Sequence, residues 1–98
     1  MPGTFTITKI ELKRMLTSYN ISDKNIELMV SSMDKTHKHV NAVAFAGMLS
    51  RVGLRQKDIT NILRRIGIDD ISITNIFDTL DEEKIRSAFG KAVEIIVD

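Results

Sequence analysis

The feature that most constrains this chain is a quartet of apolar residues at i, i+3, i+4 and i+7, recurring along almost its whole length. It runs as Leu12, Met15, Leu16, Tyr19, then Ile26, Met29, Val30, Met33, then Phe45, Met48, Leu49, Val52. It continues as Ile59, Ile62, Leu63, Ile66, then Ile73, Ile76, Phe77, Leu80, and last as Phe89, Ala92, Val93, Ile96. That spacing sets four side chains on one face of an α-helix. Six quartets in 98 residues leave little room for sheet. The pattern predicts an all-α domain with helices near 9–19, 23–33, 42–52, 56–66, 73–80 and 82–96.

Start and stop signals agree with this periodicity. Thr8 and Glu11 fit a capping box, the hydroxyl closing one end of the first turn and the carboxylate the other. Ser22, Asn41, Ser72 and Asp81 are good N-caps ahead of later runs. Asp81, Glu82 and Glu83 also set negative charge at an expected helix N-terminus. Gly53 and Gly67 follow helical runs and can take the left-handed conformation that ends a helix.

Composition narrows the function classes. A chain of 98 residues makes one domain, 1–98, and its 43% apolar and 28% charged content is ordinary for a globular protein. It holds no cysteine, which removes disulfide scaffolds, thiol catalysis and thiolate zinc sites. Net charge is +1, so the chain as a whole has no electrostatic pull towards nucleic acid or anionic lipid. No apolar stretch approaches the roughly 20 residues that cross a bilayer, and no signal peptide is evident. These features lead us to expect an intracellular, cytoplasmic protein with no membrane association. The charge is unevenly placed: residues 1–68 hold eleven Lys/Arg and five Asp/Glu (+6), whereas 69–98 hold three and eight (−5).

An internal repeat underlies the quartets. Ile7, Thr8, Leu12, Met15, Leu16 share one pattern with Val40, Asn41, Phe45, Met48, Leu49 and with Ile71, Ser72, Ile76, Thr79, Leu80. The unit is a β-branched residue, an N-cap and a core helix, and its starts lie 33 and 31 residues apart. This unit resembles the EF-hand superfamily. The stretch from Thr6 to Val52 is similar to the middle of a calmodulin or myosin light-chain lobe, with 9–52 the better match and 56–96 a more degenerate half. The resemblance implies that Val40 and Ile71 pair across two loops in a short β-bridge. It also implies one exiting helix, two complete hands and one entering helix, the outer helices packing on the central pair or being completed by a second chain.

The calcium chemistry of that family is missing. A working loop of about 12 residues needs oxygen ligands at positions 1, 3 and 5, glycine at 6 and a closing Glu. Asp34 and Thr36 match the first two, but Lys38 puts an ammonium at the third and His39 replaces the glycine. The loop is one residue short, leaving Ala44 where the carboxylate belongs. The stretch Gly67 to Ile71 is shorter still, and Asp69 and Asp70 read as turn formers. No calcium site, other metal or cofactor is expected.

Nor does the sequence carry an enzyme's signature. His37 and His39 form an H-x-H without a third ligand at useful spacing. No serine or cysteine nucleophile sits in motif context, and no glycine-rich phosphate loop exists.

The expected function is therefore recognition. We read the chain as a calcium-independent adaptor, or a light-chain-like regulatory subunit, gripping an amphipathic helix of a larger protein. Methionine is flexible and polarizable and lines adaptable peptide grooves. An open lobe would offer Leu12, Met15, Leu16, Met29, Met33, Phe45, Met48, Leu49 and Val52 as that groove. Two alternatives remain. Arg51, Arg55, Lys57, Arg64 and Arg65 could serve nucleic acid through a helix-turn-helix over Gln56–Phe77, although its second helix has no Lys or Arg and ends in acid. Terminal helices could also complete each other between chains, giving a self-associating structural subunit.

Overall fold

A computed structural model of the protein describes residues 3–35, 39–81 and 93–97, with side chains over 4–31, 40–81 and 93–97. The described elements run in the order β1 (Gly3–Ile7), α1 (Lys9–Ser18), α2 (Asp23–Lys35), β2 (His39–Asn41), α3 (Ala42–Arg51), α4 (Gln56–Ile66), α5 (Asp70–Asp81) and β3 (Val93–Val97). Helices dominate, but the all-α expectation is wrong: a three-stranded mixed sheet joins the two ends of the chain.

The sheet has the order β1-β3-β2. β3 is parallel to β1, pairing Gly3 with Val93 through to Ile7 with Val97. It is antiparallel to β2, where Val40 faces Ile95. Parallel strands need a crossover connection, and here α1 to α5 all lie between the two partners in sequence. The chain's own ends thus pair with each other.

The sheet corrects the last part of the expected helix over 82–96. Residues 82–92, with Phe89 and Ala92 of its quartet, lie outside the described residues, while Val93 and Ile96 sit on β3. The segment Val-Glu-Ile-Ile-Val satisfies the helical spacing at two positions but alternates cleanly at five: Val93, Ile95 and Val97 are buried, Glu94 and Ile96 only partly. Branched Cβ atoms restrict χ1 against a helical turn and pack well on a pleated surface. β1 reads the same way, with Ile7 buried, Phe5 half-buried, and Thr4 and Thr6 exposed.

The expected pairing of Val40 with Ile71 is also corrected. Ile71 lies in the first turn of α5 and is 75% exposed. α5 begins earlier than the periodicity implies because the Ser72 hydroxyl donates to the Asp69 carboxylate at 2.7 Å, and the Ile73 amide bonds the Asp69 carbonyl at 3.0 Å. Ser72 is therefore inside the helix rather than its cap. Asp81 is the last residue of α5, and the helix expected to follow it begins outside the described residues.

Other boundaries follow the local chemistry. Thr8 accepts from the Glu11 amide at 3.1 Å, Ser22 from Asn25 at 3.2 Å and Asn41 from Val43 at 2.8 Å, each satisfying an orphan amide of a first turn. Gly67 ends α4 at φ +116°, and a Cβ there would come 3.4 Å from the Phe5 ring. That close approach seats β1 over the α4–α5 turn. The core between helices and sheet is apolar throughout: among the described residues no polar or charged side chain is buried.

Candidate partner-binding groove

The expected groove residues divide sharply by burial. Leu12, Leu16, Phe45 and Leu49 are 0% exposed, Met15 and Met29 no more than 5%. All six belong to one continuous core. Met48 and Val52 are half-buried against it, and the side chain of Met33 lies outside the described residues. The described members of the α1, α2 and α3 quartets thus lie in or against the core.

The apolar stripe of α5 divides in the same way. Ile73 and Ile76 are buried, whereas Phe77 and Leu80 stay half-exposed. They meet Leu54, half-buried in the α3–α4 turn, where Gly53 at φ +104° lets the chain reverse. Leu54, Ile59, Phe77 and Leu80 line a cavity of about 370 Å³ between the end of α3, the start of α4 and the end of α5. A second cavity of about 400 Å³ between α4 and α5 shares Gln56, Phe77 and Asp81 with it and adds Ile73, Thr60 and Thr74. The two adjoin along Gln56, Phe77 and Asp81 and form a groove whose lining mixes apolar side chains with polar and charged ones.

Its rim is charged. Arg51 stands on the α3 side of the first cavity. In the second, Arg64 donates through Nε to Asp70 Oδ1 at 2.9 Å, while Asp78 and Asp81 carry no ion pair among the described residues. α5 has no basic residue in its last turn, so these carboxylates add to the negative end of the helix dipole. The basic and acidic parts of the sequence thus meet across one groove.

This arrangement also locates the alternative nucleic-acid residues. Arg51, Arg55, Lys57, Arg64 and Arg65 are all exposed along the end of α3, the turn and α4. Arg64 is taken by Asp70. Arg65, in the last turn of α4, shares a cavity of about 260 Å³ with Glu11, Arg14, Met15 and Ser18 along α1. The second helix of the expected helix-turn-helix presents Asp70, Asp78 and Asp81, which repel phosphate.

Of the expected metal-loop residues, Thr36, His37 and Lys38 lie outside the described residues, as do the side chains of Asp34 and His39. Asp69 is held below the ordinary carboxylate range, mainly by the Ser72 hydroxyl it accepts from. Its role is to start α5.

No family model matches the chain, and neither the curated proteins nor the solved structures contain a match. Among the described residues no helix is long and apolar enough to cross a membrane.

Leu54, Phe77 and Leu80, which line the cavity between α3, α4 and α5, are not among the groove residues expected from the sequence. The signal was present: Phe77 and Leu80 complete a quartet on a helix whose other two members already suffice to anchor it.

Proposed function

We propose that this domain is a calcium-independent protein-binding module, an adaptor or light-chain-like regulatory subunit, that holds the apolar face of a partner helix in the groove formed by α3, α4 and α5. The observation that carries the reading is the cavity between α3, α4 and α5, where the partly buried Leu54, Phe77 and Leu80 meet at the edge of the core. An amphipathic helix offers anchors at i, i+3, i+4 and i+7 that suit such a cavity. Burying them contributes about 25 cal/mol per Å² before ordering costs. Asp78 and Asp81 favour a cation on the partner near the end of α5, and Arg51 favours an acid across from it. Screening by salt makes these charges matter for orientation more than for affinity. The EF-hand resemblance of Thr6–Val52 supports a helix-gripping role. The lysine, histidine and alanine at its ligand positions support one without an ion switch.

The test is fluorescence anisotropy of a labelled Leu/Lys amphipathic helical peptide. Binding should saturate, with the same affinity in calcium and in chelator. Phe77→Ala should weaken it about tenfold, the scale of a buried aromatic anchor, while Ile10→Ala on the exposed face of α1 should not change it. Calcium dependence, or equal effects of the two substitutions, contradicts the reading.

A further inference from the structure

The two edges of the sheet are unequal. β2 has three residues, running straight into α3 at Ala42. Its short length is itself one of the ways proteins blunt a sheet edge. β1 is the other edge, and among the described residues no strand pairs with its outer side. Its five residues, Gly3-Thr4-Phe5-Thr6-Ile7, hold no charge and no proline, and their register against β3 advances one for one without a bulge. Within a strand, the devices that keep an edge solitary are lysine, proline, bulges and extreme shortness. β1 has none of them.

We propose that β1 is a self-association edge, on which a second copy of this chain adds its own β1 in antiparallel register to make a six-stranded sheet. A twofold axis perpendicular to the sheet keeps each residue on its own face, so paired positions must share parity. The register centred on Phe5 pairs all five residues: Phe5 with Phe5, Thr4 with Thr6, and Gly3 with Ile7 of the second copy. It extends the core face through an aromatic pair and the exposed face through two threonine pairs. Both kinds of cross-strand pair stabilise antiparallel ladders. The interface is isologous and closes at two copies, so it does not propagate into a fibre. It lies on the sheet, away from the α3–α5 groove, and stands or falls independently of the helix-binding reading.

The register gives a charge test. In Thr4→Lys/Thr6→Lys each lysine of one copy lies opposite a lysine of the other, twice per dimer. In Thr4→Lys/Thr6→Glu each lysine lies opposite a glutamate, again twice. Both variants keep Phe5 and Ile7 inward, and circular dichroism checks that both remain folded. Sedimentation velocity over a wide concentration series should show a reversible monomer–dimer equilibrium for the natural sequence. The double lysine should weaken it by about tenfold to thirtyfold, the sum of two like-charge pairs. The Lys/Glu variant should dimerise at least as well as the natural chain. Ile10→Lys, placed on an exposed apolar residue outside the sheet, should leave the equilibrium unchanged. A natural chain that stays monomeric at every concentration overturns the proposal. So do equal effects of the two double variants, or a dimer lost on Ile10→Lys.

Discussion

Ile95 and Ile96 are neighbours in sequence, and the sheet assigns them opposite fates. Ile95 is 0% exposed in the central strand, between Phe5 of β1 and Val40 of β2. Ile96 is only half-buried and lies opposite Thr6, on the polar face. A helix over the same residues would reverse this, since Ile96 belongs to the apolar quartet and Ile95 stands about 100° away from it. Truncation to alanine separates the two. Emptying a fully buried isoleucine site costs about 3 kcal/mol, transfer and cavity together, whereas the half-buried position costs about 1 kcal/mol. A domain of this size is stable by roughly 5–15 kcal/mol. Melting temperature moves about 4–8 °C per kcal/mol. Ile95→Ala should thus lower it by about 12–24 °C and Ile96→Ala by about 4–8 °C. Thermal unfolding followed by circular dichroism, supported by urea midpoints, reads both. Equal losses, or a larger loss at Ile96, would refute the strand and the sheet built on it.

Four further outcomes follow, three from local geometry and one from the loop sequence. Gly67→Ala should destabilise by about 1–2 kcal/mol because its left-handed backbone, at φ +116°, penalises any Cβ. Gly47→Ala, inside α3 with Leu80 at an ordinary 3.6 Å, should stabilise by about 0.5–1 kcal/mol in urea titration. Ser72→Ala should raise the Asp69 titration midpoint towards the ordinary carboxylate value, read from its side-chain NMR shifts. The depressed folded-state value means that this bond supports α5 above the unfolded pKa and stops doing so as pH falls through the folded one. Asp34→Ala should leave both the melting temperature and peptide affinity unchanged in calcium and in chelator; a calcium-induced rise in melting temperature lost on that substitution would restore a working ion site.

The helices of this domain were legible because their signal is local. Quartets, caps at Thr8, Ser22 and Asn41, and glycines at positions 53 and 67 all act within a few residues, and their helices begin and end close to where they indicate. The sheet was hidden because its signal is not. β1 and β3 pair residues ninety positions apart, Gly3 with Val93, and no turn between them announces the pairing. Read alone, Val93 to Val97 fits both periods. Only the partner strand decides. The start of α5 was missed for a different reason: Asp69 looks like a turn former until its carboxylate is seen receiving the Ser72 hydroxyl. The groove was half legible. The apolar faces were found, but periodicity does not say which face is closed by neighbours. The core took Leu12, Leu16, Phe45 and Leu49 and left Phe77 and Leu80 partly open.

The most direct test of the central claim is where a helical peptide lands. Amide NMR spectra of the domain, recorded while the Leu/Lys peptide is titrated in, assign that place residue by residue. Shifts should concentrate on the end of α3, the turn at Leu54, the start of α4 and the last two turns of α5. Shifts centred instead on Leu12, Met15 and Met29 would mean that the core opens to receive the partner, and the α3–α5 groove would not be the binding site.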